Sequence, residues 1–256
     1  MVTLLNQQNP RVVFSVYRLV QLSILSLFLI SCDSVLNDAQ HASDYFPLDK
    51  GVKWVYRVET KLTESKPRVS SLSIENLGEQ SFQGLEYKVR RTSAGTDYLF
   101  RQQDNGIYRH AKRSLVETKP VKDVSPRLVL PLPIPKKTGK SWSVLTQSYT
   151  LHRVIPNYEP PYENVAHFYM TYSMLRLDAE VTVPAGHFKH CLLVEGQAQV
   201  DQFAGANEGT GEIEITTREW YAPGVGLVKL ERLEPLDGSV FKGGSIVMEL
   251  ESLSGV

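Results

Sequence analysis

The chain has 256 residues, of which 42% are hydrophobic, and its 28 lysines and arginines balance 28 aspartates and glutamates. A chain of this length can bury one large core or two small ones. The neutral charge excludes a strongly basic nucleic-acid-binding protein and an acidic disordered tail. Two cysteines exclude a small scaffold held together by many disulfides.

The first 31 residues have the layout of a secretory signal. They carry Arg11 and Arg18 and no acidic residue, and a run of 12 mostly apolar residues extends from Leu19 to Ile30. Crossing a bilayer takes about 20 apolar residues, so this run is too short for an ordinary transmembrane helix. We therefore predict a signal peptide over residues 1–31. A buried core helix and an N-terminal membrane anchor are the alternatives.

The segment ends in Leu29-Ile30-Ser31-Cys32, which resembles the bacterial lipobox. The resemblance implies cleavage after Ser31, diacylation of the Cys32 thiol and acylation of the new amino terminus, which would hold the protein on a membrane. Asp33 resembles the inner-membrane retention signal of enterobacterial lipoproteins. It slightly favours the inner membrane, with the protein facing the periplasm.

Cleavage would leave 225 residues with 26 basic and 28 acidic side chains, since the removed part carries two arginines and no acid. Residues 32–44 are then the acylated cysteine and a polar, flexible tether. Acylation of Cys32 would also leave Cys191 without a partner in the chain. Because residues 188–194 resemble a strand that enters a core, we predict an inert, buried Cys191 rather than a reactive thiol.

From Tyr45 onward the apolar residues recur with a period of two, as in residues 52–62. We predict an all-β domain over residues 45–256, built either as an antiparallel sandwich or as a strongly curved, barrel-like sheet. The Asn105-Gly106 pair indicates a hairpin. Further strands are predicted at residues 85–90, 98–100, 107–108, 141–154, 168–183, 191–203, 211–220, 227–233 and 245–253, with turns at residues 184–186 and 223–226.

Two stretches share the pattern P-x-x-x-G-x-x-W and lie 88 residues apart, at residues 47–54 and 135–142. In each, the glycine is expected to take a positive φ, and the tryptophan is expected to begin a strand and cover one end of the core. A true repeat would divide the domain into related halves near 45–125 and 126–256. Chance recurrence of a common loop-to-strand turn is the alternative.

Three stretches of turn and strand residues stand out: F-P-L-x-x-G-x-x-W at 46–54, V-P-A-G-x-F-x-x-C at 183–191 and W-Y-A-P-G-V-G-L-V-K at 220–229. Together they resemble the TapB-like group, bacterial lipoproteins and secreted β proteins of unknown function, over about residues 45–232. The resemblance implies a fold and assigns no catalytic residue. In that group the second stretch often reads V-P-A-G-T-F-x-N-C, so His187 and His190 depart from it.

His187, His190 and Cys191 offer the nitrogen and sulfur groups that zinc or copper would bind. On a regular strand, residues 187 and 190 point to opposite faces, while residues 187 and 191 share one face. Without a turn or a bulge, a metal could then hold at most two of the three side chains. We therefore predict two ordinary histidines, no metal site and no cofactor.

Two other segments allow more than one interpretation. Asp201, Glu208, Glu212 and Glu214 lie among glycines, but their spacing does not match a calcium loop, and a solvated hairpin tip is the simpler interpretation. Residues 156–172 combine prolines with aromatic side chains, and they form either a contact surface or a packed connection. The aromatic residues of this segment are Tyr158, Tyr162, Phe168, Tyr169 and Tyr172.

The sequence contains no G-x-S-x-G, H-E-x-x-H or phosphate-loop motif. We predict that the protein is not an enzyme but a membrane-anchored envelope lipoprotein whose β domain is a binding or structural module for an envelope component, without nucleic acid as a partner. A periplasmic-face carrier of a lipid or other apolar ligand is the second hypothesis. A hydrolase whose site is assembled in space is the third.

Overall fold

The computed structural model describes residues 45–134, 138–153, 167–205, 209–238 and 241–255. This part of the chain forms strands and no helix, which confirms the all-β prediction. It contains no helix with the length and hydropathy to cross a membrane. All of it falls within one compact unit, residues 41–256. The predicted signal peptide and tether lie outside the described residues.

Thirteen strands are present in the described residues. In chain order they are β1 (Lys53–Leu62), β2 (Arg68–Phe82), β3 (Leu85–Thr92), β4 (Asp97–Gln103), β5 (Gly106–Arg113), β6 (Val121–Pro131), β7 (Ser141–Gln147), β8 (His152–Arg153), β9 (His167–Val183), β10 (Gly186–Gly205), β11 (Gly209–Ala222), β12 (Gly226–Asp237) and β13 (Phe241–Ser254).

The strands join into one antiparallel sheet in the order β6-β5-β4-β3-β2-β1-β13-β12-β11-β10-β9-β7, and β8 pairs with β13. The first strand, β1, therefore lies in the middle of the order, between β2 and the last strand. The sheet curls until its two end strands, β6 and β7, face each other across a groove. This confirms the strongly curved, barrel-like form of the prediction.

Large apolar side chains on the inward faces fill the barrel. One group gathers around the groove end, and its largest members are Phe100, Ile107, Leu130, Met170, Met174, Leu192 and Ile213. A second group packs around β1 and includes Trp54, Tyr56, Cys191 and Leu250. Tyr87, Val89, Leu99 and Ala111 form a third, smaller group on β3, β4 and β5.

The segment before β1 is held against the barrel by Arg90. The guanidinium of Arg90 lies 4.1 Å from the ring centroid of Phe46 and 4.6 Å from that of Trp54. It donates to the carbonyl oxygen of Pro47 at 2.7 Å and to Asn76 Oδ1 at 2.9 Å. Burial lowers the pKa of Arg90 to about 10, so the side chain stays cationic at neutral pH. Arg90 thus ties the entering chain to β2 and β3.

The glycines of the two P-x-x-x-G-x-x-W stretches both have the predicted positive φ. Gly51 and Gly139 have φ values of +93° and +100°, which favour glycine. Trp54 is buried, and its Nε1 donates to the carbonyl oxygen of Val225 at 2.7 Å. Trp142 is half-buried and stacks on Tyr172 with 5.8 Å between ring centroids. That the domain consists of two related halves stays a prediction.

The predicted turns also occur. β4 and β5 form a hairpin that turns through Asp104 and Asn105 and brings Gly106 opposite Gln103. Gly106 begins β5, where an added Cβ would lie 2.4 Å from Leu128 Cδ1, so the glycine allows β6 to approach closely. The turns at residues 184–186 and 223–226 connect β9 to β10 and β11 to β12.

Candidate ligand-binding groove

The groove lies where the curled sheet fails to close. In the described residues β6 pairs with β5 alone and β7 pairs with β9 alone, so each strand presents a free edge. Side chains from both strands and from the start of β9 line a cavity of about 610 Å³ between the edges. A volume of this size is typical of small-molecule sites.

A wide bulge shapes the β6 side of the groove. Arg127 pairs with Arg109 and Lys122 pairs with Ala111, so residues 123–126 have no partners on β5. Val124, inside this bulge, is 96% exposed. Together with Pro126, the bulge interrupts the ladder of backbone groups that another strand would need for pairing. The groove is therefore suited to a ligand that contacts side chains.

The groove concentrates positive charge on a chain that is neutral as a whole. Its lining contains four cationic side chains and a single carboxylate, Asp123. Asp123 accepts two hydrogen bonds of 2.8 Å from Arg109, so these two charges neutralise each other. Lys112, Lys122 and Arg127 form no ion pair with any carboxylate of the described residues. These three side chains give the groove its net positive charge.

Aromatic side chains form the walls between the charges. The four tyrosines of the lining come from four different strands or connections, and Tyr169 is 68% exposed. The guanidinium of Arg109 lies 5.3 Å from the ring centroid of Tyr98, which orients both side chains. Tyrosine supplies a rigid contact area at low entropic cost, so such walls suit a binding site. The four are Tyr98, Tyr108, Tyr149 and Tyr169.

Arg127 connects the groove to the barrel interior. Its side chain is half-buried and lies 3.5 Å from both Thr146 Oγ1 and the hydroxyl oxygen of Tyr172. It also lines a smaller cavity of about 120 Å³ behind the groove, together with Glu219 and Tyr221. Burial alone would lower the pKa of Arg127, but the neighbouring phenols and the Glu219 carboxylate outweigh burial and raise it. Arg127 therefore stays cationic at the inner end of the groove.

The inner cavity holds an acid whose ionisation is disfavoured. Burial raises the pKa of Glu219, although a hydrogen bond from Tyr221 and the charges of Arg127 and Arg232 act in the opposite direction. Perturbed carboxyl groups are common in catalytic sites. Here Glu219 accepts a hydrogen bond from the Tyr221 hydroxyl and lies near the guanidiniums of Arg127 and Arg232. This arrangement suits electrostatic tuning of Arg127.

The wall formed by Tyr149 is fixed by a buried ion pair. Glu234 accepts hydrogen bonds from the backbone N–H groups of Tyr149, Thr150 and Leu151 at 2.7 to 3.0 Å. Arg232 donates to Glu234 and stacks on the Tyr149 ring, with 4.1 Å from its guanidinium carbon to the ring centroid. The segment after β7 is thus attached to β12.

Tyr169, from the aromatic segment, lines this groove. The other residues singled out in the sequence lie outside its lining or outside the described residues. Cys32, the predicted lipidation site, belongs to the undescribed part of the chain, so acylation remains a prediction. Cys191 is buried in the core, as predicted. Burial, followed by the charges of Asp178 and Glu180, raises the pKa of its thiol to about 11, so the thiolate is scarce at neutral pH.

His187 and His190 do not lie on a regular strand, so the alternation expected for one does not apply to them. A bulge between Phe188 and Cys191 shifts the register, with His190 at a φ of +56°, and both histidines are exposed. His187 contacts Glu180 at 3.2 Å, while His190 contacts Asp178 at 2.7 Å. In the described residues, no three histidine, cysteine or carboxylate groups lie close enough together to hold a metal ion.

The acidic, glycine-rich segment of residues 201–214 and the aromatic segment of residues 156–172 lie partly within the described residues. Glu212 and Glu214 lie on the exposed side of β11, and Asp201 pairs with Glu212 in the neighbouring strand, as expected for solvated hairpin strands. Glu208, Tyr158 and Tyr162 lie outside the described residues. At the end of the aromatic segment, Phe168 and Tyr172 are buried and Tyr169 is exposed. The described part of this segment therefore contributes side chains both to the core and to the surface.

The possible contact surface predicted from the aromatic segment includes Tyr169, but sequence reasoning missed the cations of the groove. Arg109 and Lys112 belong to β5, and Lys122 and Arg127 belong to β6. No motif joins these four positions. The departure of residues 123–126 from strand alternation, with a proline, is the one local signal of an unusual edge.

No protein-family model and no curated protein matches this chain. Among solved structures, it is similar to a "putative lipoprotein" from Parabacteroides distasonis, at 16% identity and a TM-score of 0.43, over 82% of this chain and 98% of that one. A "putative exported protein with YmcC-like fold" from Bacteroides fragilis is similar at 15% identity and a TM-score of 0.40, and the match covers 82% of this chain and 99% of that one.

A LolA superfamily protein from Nitrosomonas europaea is also similar, with 11% identity, a TM-score of 0.31, and coverage of 88% of this chain and 93% of that one. The neighbours in structure thus include proteins described as a lipoprotein and as an exported protein. Because no family model matches, the resemblance to the TapB-like group stays a prediction.

Proposed function

We propose that this chain is an acylated lipoprotein of the bacterial envelope and that its β domain is a non-catalytic binding module. The groove between β6 and β7 carries the proposal: it is open, of ligand size, and combines three cations without described ion-pair partners with four tyrosines. Such a surface recognises a ligand by charge and contact area.

The hydroxyl groups of the groove support binding rather than nucleophilic catalysis. Ser143 Oγ lies 3.0 Å from Thr171 Oγ1, so its hydrogen-bond partner is another hydroxyl and not a base. The carboxylate of Asp123 is engaged by Arg109. A nucleophile needs an adjacent general base with a third group to orient it.

The sequence supports a location at the periplasmic face of a membrane, with Cys32 as the anchor and Asp33 favouring the inner membrane. The tether of residues 33–44 would reach at most about 40 Å when fully extended. The β domain would therefore work close to the lipid surface.

Cys32→Ser tests the anchor. We expect the variant to lose labelling by radioactive palmitate and to move from the detergent phase to the aqueous phase in a phase-partitioning assay. Cys191→Ser is the matched control, because Cys191 is the other cysteine and is buried; it should keep both properties. Labelling that persists in Cys32→Ser contradicts the lipoprotein assignment.

The binding role has its own test. Acylated wild-type protein and an Arg127→Gln variant are purified from detergent-solubilised membranes, and the accompanying proteins and lipids are identified. We expect at least one component that is enriched with the wild type and depleted with Arg127→Gln. Identical sets of components with both proteins would contradict a binding role for the groove.

The carrier of an apolar ligand is a second candidate, favoured by a separate open pocket. This pocket has a volume of about 610 Å³ beside the entering chain, with Phe46, Leu48, Tyr87 and Phe100 in its lining. Binding of a fluorescent apolar probe that Phe46→Asp abolishes would support the carrier. Unchanged probe binding in that variant would remove this pocket from consideration.

A further inference from the structure

The groove has an amphipathic layout. Its inner end is cationic because Arg127 lies there half-buried, and Lys112 and Lys122 stand exposed at the mouth. The outer rim is apolar, since Val124 is 96% exposed and Tyr169 is 68% exposed. Exposed apolar side chains next to cations without described ion-pair partners offer the two kinds of contact that a lipid headgroup and its first acyl carbons would make.

We propose that this groove binds the anionic headgroup of a membrane lipid, with the phosphate against Arg127 and the glycerol and first acyl carbons against the rim of Val124 and Tyr169. The inference rests on the proposed function, because it names the ligand class of the same groove.

The phosphate position follows from the chemistry of the cations. A guanidinium offers several N–H donors in a fixed plane and matches the oxygens of a phosphate. Among the described residues, the side chain of Arg127 makes two long hydrogen-bond contacts of 3.5 Å, both to hydroxyl oxygens, so its donors can turn to a ligand. Lys112 and Lys122 add point charges that attract an anion to the mouth. Arg109 keeps its place by pairing with Asp123.

The order of the surfaces favours a lipid over a free anion. A lipid in a bilayer presents its headgroup to the protein first and keeps its acyl chains behind. A matching site has a cation at its inner end and apolar side chains at its rim. In this groove Arg127 lies at the inner end, and Val124 and Tyr169 lie at the rim beside Lys112 and Lys122. A free phosphate or a sugar phosphate would gain nothing from the exposed Val124. The cavity volume of about 610 Å³ is sufficient for a headgroup.

An acidic protein segment is the other class of ligand that positive charge could attract. An extended segment would bind most strongly by adding a strand to β6 or β7. The bulge over residues 123–126 interrupts the β6 edge, and Pro126 offers no backbone donor there. The structure therefore favours recognition by side chains.

The test uses the full chain with Cys32→Ser, so that no acyl chains of its own bring the protein to lipid. The probes are dihexanoylphosphatidylglycerol and dihexanoylphosphatidylcholine, both below their micelle concentrations, together with inorganic phosphate and a hexaglutamate peptide. Dissociation constants are measured by calorimetry at fixed ionic strength. We expect phosphatidylglycerol to bind at least tenfold more tightly than each of the other three.

Paired variants connect the binding to the groove. Lys112→Gln/Lys122→Gln should weaken phosphatidylglycerol about 30-fold, since each cation near a lipid headgroup contributes about 1 kcal/mol. Lys53→Gln/Lys66→Gln makes the same change of charge at two exposed lysines outside the groove and should leave the affinity unchanged. Val124→Ser should weaken phosphatidylglycerol several-fold while leaving any weak phosphate binding unaltered. Val124 is fully exposed, so this variant keeps the fold.

Several results would overturn the inference. They are equal affinity for the two lipids, phosphate binding as tight as phosphatidylglycerol, tighter binding of hexaglutamate, no binding of phosphatidylglycerol at all, or an equal loss in the groove and control double variants. None of these results depends on acylation. Failure of the anchor would instead appear as palmitate labelling that persists in Cys32→Ser, so the two failures can be told apart.

Discussion

Arg232 and Glu234 form an ion pair inside the barrel, with 2.6 Å between Arg232 Nε and Glu234 Oε1 and with both side chains almost completely buried. The same carboxylate accepts the backbone N–H groups of Tyr149, Thr150 and Leu151. Arg232 also donates to the carbonyl oxygen of Gln147 at 3.0 Å. One pair on β12 thus holds the whole connection after β7 and, with it, one wall of the groove.

Glu234→Gln should therefore destabilise the domain strongly. Removing one charge of a buried pair leaves the other without compensation and costs about 3–5 kcal/mol. The free energy of unfolding, measured by urea denaturation at pH 7, should fall by that amount. Glu231→Gln is the control on the same strand: its partly exposed pair with Lys229 should contribute less than about 1 kcal/mol. Equal losses of unfolding free energy in the two variants would mean that the buried pair stabilises the domain no more than the exposed pair does.

The same carboxylate predicts how the domain responds to acid. Burial would raise the pKa of Glu234, but Arg232 and the backbone N–H groups outweigh burial and lower the pKa below its ordinary value of 4.5. A lowered folded-state pKa gives stability that is complete above about pH 4.5 and is lost as the pH falls through the folded-state value. Between pH 5 and pH 3, wild-type protein should lose more unfolding free energy than Glu234→Gln. Parallel pH curves would contradict this.

Glu219 predicts the opposite dependence. Burial is the main reason that the pKa of Glu219 is raised above 4.5, so the folded state disfavours the ionised acid and loses stability as the pH rises from 4.5 through the folded-state value. Glu219→Gln cannot ionise. Its unfolding free energy, relative to wild type, should increase from pH 4 to pH 7 in urea titrations. Glu212→Gln is the control, because it makes the same change of charge at an exposed position, and it should show no such increase. An increase in this variant would mean that the effect comes from the overall charge and not from the burial of Glu219.

Trp54 should be a major contributor to the core beside β1. Trp54→Ala would remove a buried indole and is expected to cost about 3–5 kcal/mol, or a fall in Tm of roughly 6–20 °C for a domain of this size. Trp54→Phe keeps most of the packing and leaves the carbonyl of Val225 without its donor, which costs about 1–3 kcal/mol. An unshifted Tm in Trp54→Ala would show that this tryptophan is not packed.

Arg90 should control the order of the segment that enters the barrel. Arg90→Met keeps an aliphatic stem over Phe46 but removes the donors to Pro47 and Asn76. Charge-assisted bonds of this kind contribute about 1.5–3 kcal/mol, so hydrogen exchange in a peptide covering residues 46–52 should speed up about 10- to 100-fold.

Arg91→Met is the neighbouring control for that measurement. Arg91 is partly exposed and pairs with the buried Asp97, which also pairs with Arg113. Among the described residues, neither the acid nor the two arginines bond to the entering chain, so loss of Arg91 should leave exchange in residues 46–52 unchanged. Faster exchange in both variants would indicate a general loosening of β3 and not a specific release of the entering chain.

The strands that sequence patterns predicted are those with one buried and one exposed face. β9 alternates clearly, as do the first residues of β1 and the part of β10 from Gly196 to Asp201, because they lie over the filled interior. β2 was not predicted, because the first half of this strand is rich in serine and largely exposed, and its apolar contact with the core comes from Leu72 and Ile74. Period two reports burial on one face, so a strand with few apolar residues on its inner face gives a weak signal.

The site was harder to predict than the fold. The curling that brings β6 opposite β7 depends on the pairing of all the strands between them, and no local pattern encodes it. The histidines illustrate the same difficulty, since a bulge beside His190 reversed the face expected from simple alternation. A bulge depends on the register of two strands at once, and one strand's sequence specifies it poorly.

The pairing of β1 with β13, from Lys53 opposite Ser254 to Leu62 opposite Gly244, has a kinetic consequence. The central strand acquires its second neighbour only when the last strand arrives, and closing a loop of roughly 200 residues costs about 5 kcal/mol in chain entropy. Folding should therefore be slow. A chain that is interrupted before β13 would leave the edge of β1 open to other unfolded chains, so the final fourteen-residue strand protects the whole domain against aggregation.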